Sequence, residues 1–251
     1  MCDGTPPPPD VPVHRIGNHE VPENWPVTGE SARCFVTRLR SGFYAAYMAG
    51  DVILDIGYRG GLDSPVQVFP HAIGVDIDYP GYDGSRLPFD DGSVDAVYSS
   101  HVLEHIVDPV ATIRDWYRVL RIGGFIVCIV PHQFLYEKRE QPPSRWNGDH
   151  KRFYTPGSLL REFEAALEPN TYRVRHLCDG DAGYSYEVGP EGHAEGQYEI
   201  ELVIEKRERP SWTLEDNVPP LAEEDLEPPS PPEEPRASAG FWRLLIGRLA
   251  R

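Results

Sequence analysis

The amino-acid sequence predicts an α/β fold in which helices cover both faces of a doubly wound, mostly parallel sheet that ends in an antiparallel strand. Short apolar runs alternate with segments whose apolar residues recur every three or four positions, as expected when strands and helices alternate. The best-defined run, Val52 to Gly61, passes from apolar residues through Asp55 into a glycine-rich turn. This pattern is typical of a buried parallel strand whose carboxyl end faces a ligand.

The elements around this strand support the same fold. Ser31 to Ala49 has the apolar spacing of an amphipathic helix, which Ser41-Gly42 is expected to bend. His71 to Asp78 predicts a second strand. Only the ten residues Leu62 to His71, two of them prolines, lead from the glycine turn into this strand, and only YPGY lies between Asp78 and Asp83. The helices after strands one and two are therefore expected to be short.

The second half of the chain continues the alternation and closes the sheet. The last strand alternates apolar residues with Glu199, Glu201 and Glu205, which predicts a solvated face near a sheet edge. This order of elements is that of a Rossmann-like sheet. The predicted elements are a strand at Val94 to Ser99, a helix from the Asp108-Pro109 cap to Gly123-Gly124, a strand at Phe125 to Val130, a helix from Thr155-Pro156 to Leu167, and strands at Tyr172 to Cys178 and Tyr198 to Glu205.

Prolines and acids are concentrated at the two ends of the chain, which we expect to be poorly folded. Residues 1–29 form a proline-rich arm, 30–209 the folded domain, 210–236 an acidic proline-rich linker, and 237–251 a basic amphipathic helix. The linker carries eight acids between Ser211 and Arg236, and Arg236 is its only base. The terminal helix suits an anionic membrane surface, the groove of a partner protein, or packing on its own domain.

Charge and cysteine content argue against several classes of protein. A net charge of −16 disfavours binding to a nucleic-acid backbone, which requires a basic surface. The four cysteines are scattered, form no C-x-x-C pair and follow no apolar leader, so we expect a reduced, cytoplasmic protein. No stretch approaches the ~20 apolar residues needed to cross a bilayer. Any membrane association is therefore expected to be peripheral, through 237–251.

Four sequence blocks carry a resemblance to a known family. Asp76 ends the second strand 21 residues after Asp55, close to the interval at which nucleotide-binding α/β folds present an acid to ribose hydroxyls. In its order and spacing of blocks, the chain resembles the class I S-adenosylmethionine-dependent methyltransferases, in particular their type 11 group, over about residues 30–209. The blocks are DIG at Asp55 to Gly57, VDID at Val75 to Asp78, LPFDDGSVDAVYSSHVLEHI at Leu87 to Ile106, and RVLRIGGFIVCIVPH at Arg118 to His132.

The resemblance implies S-adenosylmethionine as the cofactor and assigns residues to it. For Asp55 and Asp83 the alternative is the capping of a local turn. The resemblance implies that Gly57 and Gly61 leave room for the methionine part of the cofactor and that Asp55 holds its ammonium group through a water or an amide. Asp76 would accept hydrogen bonds from the ribose hydroxyls. Asp83 would pair with the adenine amino group, and Leu87 and Phe89 would contact the faces of the adenine ring.

One position departs from the family pattern. The family's turn runs acid-x-G-x-G-x-G, but Arg59 stands at the middle glycine. Its side chain either points outward, where it can reach the cofactor carboxylate, or obstructs the pocket. This departure and the short helices favour the alternative of a catalytically degenerate methyltransferase-like module that binds a partner. A nicotinamide-dependent oxidoreductase is disfavoured because the first turn lacks G-x-G-x-x-G.

Histidines are the candidate bases. Methyl transfer is an in-line displacement that needs alignment, and a hydroxyl acceptor also needs a base. We predict His132 as that base, then His105, ahead of His101 and His150. His101 to His105 also spells H-x-x-E-H, a zinc-protease motif, but no third ligand is apparent in the sequence. No metal site is therefore expected.

The segment from Lys138 to Tyr154 mixes bases with aromatic residues in an otherwise acidic protein. It predicts either a site for an acidic or sugar-bearing acceptor or a solvated loop. The expected acceptor contacts are Arg145, Trp146, His150 and Lys151. The run at Asp149 to Pro156 resembles bacterial methyltransferases of surface-glycan or secondary-metabolite pathways. The sequence thus predicts an S-adenosylmethionine-dependent methyltransferase that acts on a small-molecule or glycan acceptor, most simply by O-methylation.

Overall fold

A six-stranded sheet forms the centre of the protein, whose computed structural model describes residues 11–212 and 214. Residues up to Pro210 form one unit, and of the second unit, Ser211 to Arg251, three residues are described. The strands are β1 (Val13–Ile16), β2 (His19–Pro22), β3 (Ile53–Ile56), β4 (Ile73–Val75), β5 (Val94–Ser100), β6 (Leu120–Pro131), β7 (Tyr172–Gly180) and β8 (Glu199–Lys206). The helices are α1 (Ser31–Arg40), α2 (Phe43–Tyr47), α3 (Pro109–Val119) and α4 (Pro156–Ala166), with a 3₁₀ turn at Leu103–His105 and a π-helical turn at Gln133–Glu137.

Four parallel strands bring their carboxyl ends to one edge of the sheet. The strand order is β4-β3-β5-β6-β8-β7, in which β4, β3, β5 and β6 are parallel and β8 is antiparallel to both neighbours. Glu199, which begins β8, pairs with Pro131, which ends β6, so β8 starts at the same edge. The predicted class, a mostly parallel α/β sheet with an antiparallel C-terminal addition, is confirmed. In such sheets ligands bind at the carboxyl ends of the strands.

Successive residues of β3 face opposite layers of the core, as the pleat of a strand requires. Leu54 packs with Ile113 of α3 and Phe163 of α4, and all three side chains are fully buried. Ile53 packs with Phe35 of α1 in a second cluster on the other face. Burial of each such side chain contributes about 1.5–3 kcal/mol, which fixes the register of the strands that end at the site.

The N-terminal arm contains a β-hairpin. β1 pairs antiparallel with β2, and Ile16 and Val21 are buried in the cluster that contains Phe35. The indole N–H of Trp25 donates to the carbonyl of Gln67 at 2.8 Å. The expectation of a poorly folded arm is therefore wrong for 13–22, where burial of the two apolar residues offsets the entropy of ordering. The predicted linker beyond residue 214 and the terminal helix at 237–251 lie outside the described residues.

The segment after β3 (57–72) and the segment after β4 (76–93), both within the described residues, contain no helix. The predicted shortening of these helices is thus complete, as expected from the prolines there. Where helices do form, their predicted caps are found: Asp108 Oδ1 accepts from the Ala111 N–H at 2.9 Å, and Thr155 forms a capping box with Ser158. Gly42, at φ 77°, separates α1 from α2 as the Ser41-Gly42 pair predicts.

Two predictions about the later strands are wrong. β6 begins at Leu120, so Gly123 and Gly124 lie inside a strand instead of ending α3; a Cβ on Gly124 would lie 2.8 Å from the Asp95 carbonyl oxygen. β8 lies beside the edge strand β7, near the sheet edge as predicted, but the face that carries its glutamates is not solvated. Glu199 is fully buried and Glu205 is 8% exposed, because arginines pair with both carboxylates. No described helix is both long and apolar enough to cross a membrane.

Candidate functional site

The turn after β3 is tied closely to the sheet. The Gly57 N–H donates to the Val75 carbonyl at 2.8 Å. Gly57 has φ 72°, and a Cβ there would lie 2.4 Å from Val102 Cγ2. Gly61 also has positive φ, 78°, but a Cβ there would meet no atom within 4 Å. Gly57 is therefore required by backbone and packing together, whereas Gly61 lines open space.

These two glycines provide a matched pair for a stability test. We expect Gly61→Ala to lower the free energy of unfolding by about 1–3 kcal/mol, the usual strain of positive φ in a residue with a Cβ. Gly57→Ala should lose roughly 1–3 kcal/mol more, because its Cβ also overpacks against Val102. Urea denaturation measures both. Equal losses would show that the contact with Val102 relaxes freely, and adding Val102→Ala to Gly57→Ala should recover only the excess.

Arg59 contacts two acids that follow β4. Its backbone N–H donates to Asp76 Oδ2 at 3.3 Å, and its guanidinium pairs with Asp78. The Arg59 side chain is 37% exposed, and its partner is a carboxylate of the protein instead of a cofactor carboxylate. Asp76 Oδ1 accepts from the Ile77 N–H at 2.7 Å. Each oxygen of Asp76 has thus used one of its two acceptor positions, which leaves capacity for further donors.

The predicted adenine contacts lie beyond β4. Asp83 Oδ1 accepts from the Ser85 N–H, the Ser85 hydroxyl and the Arg86 N–H at 2.9, 2.7 and 3.1 Å, and these bonds lower the Asp83 pKa to about 2. This is the turn-capping geometry. Leu87 is a core residue, 2% exposed, so it does not present a face to a ligand in this structure. Phe89 is partly exposed and stacks against Tyr79 with ring centroids 5.6 Å apart.

Asp55 is buried within β3 and contacts the loop between β3 and β4. Its Oδ2 accepts from the Val68 N–H at 2.7 Å. Burial raises the Asp55 pKa to about 7, against the lowering effect of that hydrogen bond. The carboxylate thus anchors the loop between β3 and β4, and the amide it contacts is that of Val68.

A buried group of titratable side chains lies after β5; we call Glu104, His101, His105, His150 and Glu137 the Glu104 cluster. Glu104 Oε1 lies 3.8 Å from His101 Nδ1, 3.8 Å from His105 Nε2 and 3.9 Å from His150 Nε2. His150 Nδ1 bonds to Glu137 Oε1, and His101 Nε2 lies 3.1 Å from Glu199 Oε1. Burial lowers the His105 pKa, and nearby His150 lowers it further. The cluster links three elements at the ligand-binding edge.

Loop 149–152 carries His150 into this cluster. The Lys151 N–H donates to the Glu104 carbonyl at 2.8 Å. The Arg152 guanidinium donates to the carbonyls of Leu103 and Val107 at 3.1 Å each, which caps the 3₁₀ turn. His150 is consequently 5% exposed, whereas Lys151 is exposed. His150, one of the four predicted acceptor contacts, is therefore buried. It also supplies the third possible metal ligand that the H-x-x-E-H motif lacked in the sequence.

His132 has a capping role in the structure. Its Nδ1 accepts from the N–H groups of Phe134 and Leu135 at 3.0 and 3.3 Å, and its Nε2 lies 3.2 Å from Asp179 Oδ1. Both ring nitrogens are therefore engaged within the fold. Nδ1 holds the start of the π-helical turn and Nε2 faces a carboxylate, so the base role predicted for His132 would require Nε2 to exchange Asp179 for the acceptor.

Arg145 and Trp146 contact other parts of the protein. Arg145 Nη2 donates to Glu191 Oε1 at 3.0 Å, and the Trp146 indole N–H donates to the Tyr136 carbonyl at 3.1 Å. A cavity of about 470 Å³ lies between the π-helical turn and the loop after β7. Neither Arg145 nor Trp146 lines it. Its lining includes Phe134, Leu135, Lys138, Tyr184, Tyr186 and Val188.

Three further residues of this edge, Arg38, Glu137 and Glu199, were not predicted as site residues. Glu199 is fully buried and pairs with Arg38 of α1. A signal for it was present, because an arginine on the apolar side of an amphipathic helix needs an acidic partner. Glu137 lies in the π-helical turn, for which the sequence carries no recognised pattern.

Comparisons with known proteins agree with this arrangement. A family model described as "Methyltransferase domain" matches residues 63–128. A probable S-adenosylmethionine-dependent methyltransferase of Mycolicibacterium smegmatis is 31% identical over 134 residues, which are 51% of this chain and 50% of that protein. A demethylmenaquinone methyltransferase of Roseiflexus castenholzii is 40% identical over 47 residues, 19% of this chain and 20% of that protein. The chain therefore spans 50% of the length of the first relative and 20% of the length of the second.

A solved structure of a putative methyltransferase from Bacillus halodurans C-125 is 15% identical, covers 69% of this chain and 99% of its own, and aligns with a TM-score of 0.44. The family-model match begins just after the glycine turn and includes β4, Asp76 and the 3₁₀ turn at Leu103–His105. The family-model match over residues 63–128 and the curated relatives make the chain similar to S-adenosylmethionine-dependent methyltransferases.

Proposed function

We propose that this protein transfers a methyl group from S-adenosylmethionine to a hydroxyl of a small-molecule or glycan acceptor. One observation supports the proposal most directly: the Asp76 carboxylate at the end of β4 is hydrogen-bonded to the backbone of the glycine turn at the end of β3. The two parts that a nucleoside cofactor needs, an acid for its ribose and a side-chain-free turn for its other end, are thereby joined. The cofactor would supply a methyl group on a positively charged sulfur.

The residues of this edge fit that cofactor. Gly60 and Gly61 both have positive φ and border open space, so the backbone can approach a ligand closely. Arg59, the residue that departs from the family pattern, pairs with Asp78. Asp76 would accept from the ribose hydroxyls with its remaining acceptor capacity. Phe89, on its support Tyr79, would contact the adenine ring.

The acceptor would enter from the β6 side of the same edge. The 470 Å³ cavity after β6 has aromatic walls from Phe134, Tyr184 and Tyr186, which suit the face of a sugar or a phenol. His105, half-buried in the Glu104 cluster, is the histidine of that cluster with the most accessible ring. We assign to His105 the removal of the hydroxyl proton, in preference to His132.

Isothermal calorimetry with S-adenosylmethionine and its demethylated product tests the cofactor assignment. We expect Asp76→Ala to raise the dissociation constant about 10- to 100-fold, as loss of hydrogen bonds to a charged acceptor does. Asp63→Ala removes the same charge from an exposed position beside the turn and should change little. No binding to the wild-type chain at millimolar ligand would favour the degenerate binding module instead.

A second assay identifies the reaction. Labelled methyl transfer would be measured against a panel of sugars and phenols, followed by identification of the methylated atom. His105→Ala should retain cofactor binding and lose turnover. His132→Ala should instead lower the stability of the π-helical turn that His132 caps. Turnover that survives in His105→Ala would remove this histidine from the assignment.

A further inference from the structure

We propose that Glu104, His105 and His150 bind a divalent transition-metal cation, a site that does not depend on the methyl-transfer proposal. Each residue offers one ligand atom, and the three atoms lie within 4.8 Å of one another. Glu104 Oε1 is 3.8 Å from His105 Nε2 and 3.9 Å from His150 Nε2. Zinc takes such ligands at about 2.0–2.2 Å, so two of them on one ion lie at most ~4.2 Å apart. Small inward movements would complete the site.

Glu104 is the group that points to a ligand. Its side chain is fully buried, and neither carboxylate oxygen has a hydrogen-bond partner among the described residues. Leaving an ionised carboxylate buried without donors is costly, so such a group takes up a cation or a proton. Three imidazoles surround it at 3.8–3.9 Å, beyond hydrogen-bond distance but suited to sharing an ion.

The outer nitrogens of two of these imidazoles are held by buried carboxylates. Nδ1 of His150 bonds to Glu137, which directs its Nε2 toward Glu104. Nε2 of His101 lies 3.1 Å from Glu199, which directs its Nδ1 to within 3.8 Å of Glu104. Metal-bound histidines are commonly oriented by a carboxylate in this way. His101, which has a strained φ of 56°, is thereby the candidate for a fourth ligand.

The ligand set defines the class of cation. Two imidazoles with one carboxylate occur in catalytic zinc sites and in facial-triad iron sites, so we expect Zn²⁺, Fe²⁺ or Co²⁺ to bind in preference to Mg²⁺ or Ca²⁺, which favour oxygen ligands. The His105 side chain is 31% exposed, which gives the cation a route to solvent. A bound cation would occupy the Nε2 that the proposed function uses as a base, so methyl transfer must be measured with and without it.

Metal content of the tag-free, full-length chain tests the site. After chelation and dialysis, we expect about one Zn²⁺ or Co²⁺ to rebind per chain, measured by plasma mass spectrometry, with visible absorption from Co²⁺ in a nitrogen and oxygen environment. Glu104→Gln and His150→Ala should weaken Co²⁺ binding at least 100-fold, and Glu137→Gln 10- to 100-fold. The control His14→Gln changes an imidazole that pairs with Glu23 outside the cluster, and its Co²⁺ affinity should equal that of the wild type.

The competing explanation is a carboxylate balanced by protons on the surrounding imidazoles. Glu104→Gln keeps the size of the side chain and removes no hydrogen bond seen among the described residues, so this variant should fold. If the cluster binds metal, Zn²⁺ should raise the melting temperature of the wild type but not of Glu104→Gln. Less than a tenth of an ion per chain, with no Zn²⁺-dependent shift, would overturn the site. Calorimetry with the cofactor on the chelated protein reports the methyltransferase assignment separately.

Discussion

Replacing Arg38 with methionine should lower the free energy of unfolding by about 3–5 kcal/mol, the usual cost of removing one partner from a buried ion pair. Arg38 is 2% exposed; its guanidinium pairs with fully buried Glu199 and donates through Nε to Glu201 Oε1 at 2.7 Å. Burial alone would raise the Glu199 pKa, but the Arg38 charge and the His101 hydrogen bond hold it at about 2. Without Arg38, a buried charge would depend on His101.

Urea denaturation of three variants measures this effect. Arg38→Met leaves Glu199 charged, Glu199→Gln leaves Arg38 with Glu201, and the double variant removes the buried pair. Because an apolar or neutral replacement of a whole pair is often close to neutral, the double variant should be more stable than Arg38→Met. The loss in Arg38→Met should also shrink at acidic pH, where Glu199 can take up a proton. A loss below about 1 kcal/mol at neutral pH would show that water or His101 replaces the arginine.

The second large effect is a pH-dependent gain of stability in Asp55→Asn. The Asp55 pKa is raised from 3.8 to about 7 by burial, and the side chain is 3% exposed. The folded state thus holds a proton that the unfolded state has released, so stability from this group is complete below pH 4 and is lost as the pH rises to 7. At about 1.4 kcal/mol per pKa unit, the wild type loses up to roughly 4 kcal/mol over this range.

Asparagine can accept the same hydrogen bond from Val68 without becoming charged. Asp55→Asn should therefore equal the wild type near pH 4 and exceed its stability by up to ~4 kcal/mol at pH 8. Chemical denaturation from pH 4 to 8 gives the difference directly. Asp83→Asn is the control without a pH dependence in this range, because hydrogen bonds lower the Asp83 pKa from 3.8 to about 2 and its contribution is lost only below about pH 4. If the free energy of unfolding of Asp55→Asn and that of the wild type changed with pH in parallel, the raised pKa of Asp55 would be contradicted.

Local patterns were sufficient for much of the fold. The strands at β3, β5 and β6 follow from uninterrupted apolar runs, and the caps at Asp108 and Thr155 follow from residues that bond to their own neighbours. The hairpin of β1 and β2 was missed although Gly17-Asn18 lies between its strands. A Gly-Asn pair is a hairpin signal, whereas the prolines of this arm had predicted a poorly folded segment.

The candidate site divides in the same way. Gly57, Asp55 and Asp76 lie at the ends of their strands as predicted, since strand ends are set by local sequence. Leu87 and His132 lie where the sequence placed them, but their contacts, a core cluster and the amides of a π-helical turn, differ from those expected. Whether a side chain faces a ligand or the core depends on which element covers it, and that is decided between distant segments.

By itself, the sequence determined the order of the strands of the six-stranded sheet, the glycine turn and the acid that follows it, because apolar runs, caps and spacing act within about 20 residues. The tertiary structure alone decided that Arg59 turns to Asp78, that β8 is buried against Arg38, and that His150 meets Glu104. The residues joined by these three contacts are 19, 161 and 46 positions apart in the sequence, respectively. Such pairs are selected by packing and by the cost of leaving a buried charge without a partner, and no local pattern encodes that choice.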